Sequence, residues 1–222
     1  MDGSSVFTWI FAFVVYDFFY YWFHRISHER QIFWASHVAH HQSEDYNLST
    51  ALRQTGTGAL LTWVFYIPVF LMGVPSYVFV SVASLNLIYQ FWVHSEHIPK
   101  LGFYEWVFVT PSNHRVHHAQ NDEYIDKNYG GVFIIWDRMF GTFKEEDTKI
   151  PCIYGIRGPI KTFNPIWANL HIYVQMLKDI WGSKSLKDKL YVPFARTGWR
   201  PGSLENDSFK YDFDPNSFKK YD

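Results

Sequence analysis

The chain has 222 residues, room for one ordinary domain and too little for two. Its 20 Lys and Arg against 21 Asp and Glu leave a net charge of −1, so no basic field attracts nucleic acid, and the single cysteine excludes an internal disulfide. Aromatic residues reach 21%, which excludes extensive disorder and leaves a compact or membrane-embedded domain.

In chain order, the first apolar stretch is Val6–Phe23, interrupted only by Asp17 and long enough to cross a bilayer or enter it obliquely. No basic residue precedes it and no small-residue cleavage site follows, so it does not read as a secretory signal. From Gln54 to Ser95 there is no Asp, Glu, Lys or Arg. One helical crossing needs about 20 residues, and this run is twice that. Gly73, Val74 and Pro75 punctuate it as the turn of a hairpin, predicting spans near Leu60–Met72, kinked at Pro68, and Ser76–His94. The mean hydropathy of −0.16 penalises Trp and Tyr, both at home in membrane interfaces. The competing reading, a buried hairpin in a soluble bundle, would leave an outer face without a single charge.

A hairpin returns the chain to the side it left. Arg25, Arg30, Arg53, Lys100 and Arg115 all fall on that side, and the hairpin tip and the N-terminal segment have no Lys or Arg, so the positive-inside rule makes the Lys/Arg-bearing side cytosolic. Further on, 128–143 reads as a glycine-containing loop leading into a short packed segment. Pro165–Trp181 carries Ile166, Leu170, Tyr173, Leu177 and Trp181 at helical spacing, an amphipathic helix suited to a membrane interface. The expected fold is all-α and polytopic, with residues 1–203 as one membrane domain and 204–222 as a mobile polar tail.

The chemistry lies in the histidines. Ten of eleven fall into four groups: His24 and His28; His37, His40 and His41; His94 and His97; His114, His117 and His118. Residues three and four apart share a helix face, so each group aims its imidazoles one way. The hairpin brings all groups to one membrane face. A zinc ion takes three or four protein ligands, so this many imidazoles predict a site for two metals, at the cytosolic face. All-imidazole ligation suits iron, zinc, copper or nickel. His171 is expected to be an ordinary interfacial residue, and His97, next to the helix-ending Pro99, is left open between ligand and solvent. Glu29, Glu44, Asp45 and Glu96 flank the groups, either orienting a ring nitrogen or standing as solvated charges.

The pattern H-x-x-x-H at 24–28 with H-x-x-H-H at 37–41 and 114–118 resembles the fatty acid hydroxylase/sterol desaturase superfamily of membrane di-iron oxygenases. Within it, YYWFHRISHE (20–29), WASHVAHHQSEDYNLSTALRQ (34–54), YQFWVHSE (89–96), TPSNHRVHHAQNDEYIDKNYGG (110–131) and IIWDRMFGTF (134–143) are similar to its ether-lipid-cleaving members. The resemblance implies a multi-pass enzyme of the endoplasmic reticulum membrane with two irons and tetrahydrobiopterin. Its substrate would be an O-alkylglycerol, hydroxylated by O2 at the ether-bearing carbon to a hemiacetal that collapses to fatty aldehyde and glycerol. Carried over, the iron ligands are His24, His28, His37, His40, His41, His114, His117 and His118, with His94 as an additional one; Glu29, beside His28, is the candidate supporting catalytic residue on position alone. Asn113 stands where relatives are expected to carry histidine. Superfamily members extend further on both sides, so the chain is expected to be a fragment or a shortened form. Two rival readings remain: a sterol or fatty-acid hydroxylase or desaturase fed by cytochrome b5, and a non-catalytic membrane protein with a structural zinc site.

Overall fold

The computed structural model describes residues 1–202; the expected polar tail, 204–222, lies outside the described residues. Helix α1, Val6–Glu29, runs six residues beyond the apolar stretch and so carries His24 and His28 in its last two turns. Short helices α2 (Gln31–Ala35), α3 (Val38–His41) and α4 (Leu48–Leu52) follow. The first arm of the hairpin is not one kinked span. It divides into α5 (Ala59–Thr62), a 3-10 turn (Trp63–Tyr66) and α6 (Ile67–Leu71). Pro68 sits in the first turn of α6, where its missing N–H costs nothing, and the break falls before it. At the hairpin turn Gly73 adopts φ +83, and Met1 donates its terminal ammonium to the Gly73 carbonyl at 2.8 Å.

The second arm is α7, Ser76–Trp92, which ends two residues before His94. Then come α8 (Pro111–His118), α9 (Ile135–Phe140), α10 (Pro165–Gly182) and α11 (Leu186–Tyr191). Among the described residues the only β pairing is two isolated bridges, Phe108 with Phe133 and Ala119 with Tyr154. The fold is mostly helical. Among the described residues one helix, α1, is long and apolar enough to cross a membrane.

The core is in pieces. Ala12 and Tyr16 of α1 pack on Val69, Val74, Val78 and Val82 of the hairpin. A second cluster joins Ala35 to Met176, Val192, Ala195 and Trp199. Polar groups tie the first cluster to its surroundings. Asp17, fully buried in α1, accepts from Val132 N, Phe133 N, Trp136 Nε1 and Asn86 Nδ2 at 2.7–2.9 Å. This ties the first helix to the 130–136 loop and to α7. The loop can approach only because Gly130 and Gly131 lack side chains: a Cβ on Gly130 would sit 2.6 Å from the Phe133 carbonyl, and one on Gly131 2.8 Å from Asp17.

Candidate metal centre

Helix α8 starts at Thr110, whose hydroxyl accepts from Asn113 N while Asn113 Oδ1 accepts from Thr110 N, a reciprocal cap. Capping is therefore the work of Asn113. All eight residues of α8 are buried, so its histidines leave water together. Arg115 holds the helix in place. Its guanidinium makes a bidentate pair with Glu146 at 2.7–2.8 Å and donates to the carbonyls of Ser95 and Ile98, just beyond His94. Arg115, one of the basic residues on which the cytosolic assignment rests, is thus a buried strut.

Nine imidazoles converge, in two groups. His24, His28, His37, His41 and His117 form one; His40, His94, His114 and His118 form the other. Within each, one ring nitrogen per residue lies within 4.8 Å of all the rest. Neighbouring residues of a helix point about 100° apart. The adjacent pairs His40–His41 and His117–His118 consequently serve different groups, which joins the two groups through α3 and α8.

The rings are held from behind. His24 Nδ1 lies 2.8 Å from the Tyr129 carbonyl, His94 Nδ1 2.8 Å from that of Gln90, His117 Nδ1 3.0 Å from that of Lys127, and His40 Nδ1 3.3 Å from that of Arg53. A carbonyl only accepts, so Nδ1 carries the proton in each and Nε2 presents a lone pair inward. Nε2 of His40 and His94 nonetheless face each other at 3.3 Å, and Nε2 of His94 and His114 at 3.1 Å. For His40 and His94, whose Nδ1 protons are committed to carbonyls, the opposed lone pairs repel, and a cation between them would relieve that repulsion. Two nitrogens bound at about 2.1 Å to one ion and roughly 90–109° apart lie about 3.0–3.4 Å from each other. In the other group, His41 and His37 present Nε2 atoms 3.1 Å apart, while Nε2 of His24, His28 and His117 is buried with no protein partner. The donor set fits two metal ions of the imidazole-binding kind.

Burial, reinforced by the neighbouring rings, holds His37, His41, His114, His117 and His118 well below the ordinary histidine range, and burial takes His40 down to about 4. Neutral rings are what ligation needs. Aromatic residues wall the centre: Trp34 lies 5.1 Å from His28, Tyr129 5.3 Å from it, and Tyr46, stacked on Tyr154, 5.1 Å from His118. Behind the Tyr129 carbonyl, Asp137 accepts from Tyr129 N, Gly130 N and Thr142 Oγ1, and burial pushes its carboxyl up to about 6. Burial also lifts the Cys152 thiol to about 12.

Of the flanking carboxylates, Glu29 receives Arg25 Nε at 2.9 Å on the outer side of α1, and Glu44, Asp45 and Glu96 are exposed. Backbone carbonyls orient the rings in their stead. His97 is exposed and stands outside both groups. His171 also lies outside them, its Nδ1 shared between the carbonyls of Trp167 and Ala168, and it lines a cavity of about 380 Å³ whose inner wall includes His28, His41, His117 and His118.

Compared with known families, residues 9–142 match the fatty acid hydroxylase profile, all nine converging histidines included. The chain belongs to the fatty acid hydroxylase family. It is 48% identical over 202 residues to alkylglycerol monooxygenase of Homo sapiens, covering 91% of this chain and 45% of the relative, and 42% identical over 212 residues to that of Caenorhabditis elegans, covering 91% and 42%. It is also 28% identical over 152 residues to an ornithine lipid hydroxylase of Rhizobium tropici, covering 66% and 45%. The chain thus spans about half the length of the curated relatives it matches. No solved structure matches it.

Proposed function

We infer that this chain carries the oxygen-inserting core of an ether-lipid monooxygenase, acting on O-alkylglycerols with two irons, O2 and tetrahydrobiopterin. The observation that carries the reading is the convergence of nine imidazoles into two adjoining groups, each with ring nitrogens close enough to share one ion; the alkylglycerol monooxygenases of two animals, similar over 91% of the chain, support the substrate. His24, His28, His37, His41 and His117 would hold one iron, and His40, His94, His114 and His118 the other. Glu29 would act from outside the ligand set, through its hold on Arg25 at the end of α1. When bound, the irons supply the oxidising chemistry that an unactivated C–H bond demands.

The protein's part is placement. The cavity against His28, His41, His117 and His118 would hold the ether-bearing carbon beside the metals, and the Trp34, Tyr46 and Tyr129 walls would exclude water from them. Inserting one oxygen atom of O2 into the C–H bond while the other leaves as water would consume two electrons and two protons, which the pterin would supply. In the resulting hemiacetal the new hydroxyl proton passes to the glycerol oxygen as that C–O bond breaks and the aldehyde C=O forms. The lone pair of the ether oxygen favours attack at the adjacent carbon. We assign the enzyme to the endoplasmic reticulum membrane as a multi-pass protein with its histidines on the cytosolic side, on the strength of the one-sided Lys/Arg distribution and the family resemblance.

The test is turnover of an O-alkylglycerol by anaerobically purified protein, in its full-length context, given O2 with and without tetrahydrobiopterin. Pterin-dependent release of fatty aldehyde, with cytochrome b5 dispensable, is expected. Activity that needs cytochrome b5, ignores the pterin and acts on a sterol or acyl chain would establish the rival reading, which the ornithine lipid hydroxylase similarity keeps within the family's range.

A further inference from the structure

Helix α10 has three faces. Ala168 and Met176 are buried toward the core, Met176 against Ala35 and Val192. Ile166, Leu170, Leu177 and Trp181 are exposed, Trp181 to 89%. Between these runs a third face, Trp167, His171, Val174, Gln175 and Lys178, which lines the cavity that reaches the histidine cluster. At about 100° per residue, Trp167 and Val174 lie beside the exposed stripe, so the outer apolar surface and the cavity wall share an edge.

The next helix extends the pattern. In α11, Leu186 and Leu190 are exposed one turn apart, 71% and 68%. Helical geometry places Lys187 and Lys189 on either side of them and Asp188 on the opposite face. Lys178 and Lys184 are exposed along the same stretch. The one acidic residue of α10, Asp179, is withdrawn: its carboxylate is buried and held by Arg200 at 2.8 Å. An apolar stripe bordered by lysines, with its acids turned away, is complementary to an anionic leaflet, where each lysine is worth roughly fivefold in partitioning.

We propose that α10 and α11 dock on the surface of an anionic phospholipid leaflet, with Lys178, Lys184, Lys187 and Lys189 among the headgroups and the Ile166–Trp181 stripe at the acyl boundary. The edge shared by the stripe and the cavity wall then lies at the lipid surface. A membrane-borne substrate reaches the histidines sideways along α10, a consequence that rests on the lipid-oxygenase reading above.

The experiment places a nitroxide at Leu186→Cys or at Asp188→Cys, in a Cys152→Ser background of the full chain, in vesicles of phosphatidylcholine alone or with phosphatidylserine. Accessibility to oxygen and to a water-soluble nickel reagent is read by power saturation. The expected result is a lipid-side signal at 186 and a water-side signal at 188 in anionic vesicles, with 186 moving to the water side in neutral vesicles and in the Lys184→Glu/Lys187→Glu/Lys189→Glu variant. Bound metal should be unchanged in that variant, which shows that the fold persists. A water-side signal at 186 in both compositions, an equal depth in both, or protection from both reagents by a covering protein surface each overturns the proposal. The label reports without turnover, so docking in a chain that fails to cleave an alkylglycerol would contradict the functional reading alone.

Discussion

From Val6 to Tyr16, α1 packs Ala12 and Tyr16 against Val69, Val78 and Val82 of the hairpin, whereas from Asp17 to Glu29 the same helix supplies a carboxylate with four donors and two imidazoles of the metal centre. The first half is held by many interchangeable contacts, each of which lipid could partly replace. The second is held by a few polar groups, each with named partners and no substitute. Damage should therefore be graded along one helix, and the grading can be broken by substitution.

The largest effects belong to the histidines. His41→Ala is expected to empty the five-membered group and His40→Ala the four-membered one, each lowering bound metal from two ions to about one and activity by more than about 100-fold. Metal analysis of the two variants checks this; loss of both ions from either one would show that the groups are not separable. Next comes Asp17→Ala, which strands two backbone N–H groups, an indole N–H and an amide in a buried site, at about 3–5 kcal/mol. Thermal unfolding in detergent measures it, and a loss under about 1 kcal/mol would mean that Asp17 does not join the two halves. Gly130→Ala should cost about 2 kcal/mol, because its Cβ would meet the Phe133 carbonyl, and should also disturb the Tyr129 carbonyl behind His24. Lower metal occupancy with little loss of secondary structure is the expected signature by metal analysis and circular dichroism. The smallest effect is reserved for the hairpin end: Val78→Ala, though fully buried, should cost about 1 kcal/mol and leave bound metal untouched.

The same contrast decides what could be read from the sequence. The gathering of the 24–28, 37–41 and 114–118 histidines was legible because spacing is local, three and four residues along a helix fixing direction, whereas the spacing of His94 and His97 misled, since α7 ends at Trp92 and His97 stays exposed. The hairpin turn at Gly73–Pro75 and the amphipathic α10 were legible for the same reason. Asp17 was visible only as a blemish in an apolar stretch, since its partners lie 69 to 119 residues away. The ring-orienting carbonyls of Gln90, Arg53, Lys127 and Tyr129 carry no signal, because every residue has a carbonyl and only the fold says which one faces an imidazole. Glu44, Asp45 and Glu96, adjacent to the histidines in sequence, stay exposed, because adjacency along the chain does not fix which way a loop side chain faces. The broken arm 59–71 was hidden in another way: an uninterrupted apolar composition does not distinguish an α-helix from short pieces joined by a 3-10 turn.

The central claim is that nine neutral imidazoles hold two redox-active ions in two adjoining groups. Anaerobic purification followed by metal analysis and Mössbauer spectroscopy of the iron-57-enriched protein tests it most directly. Two irons per chain in nitrogen-rich environments, both oxidised on admission of O2, is the predicted result; a single ion, or stoichiometric zinc that does not respond to O2, would contradict it.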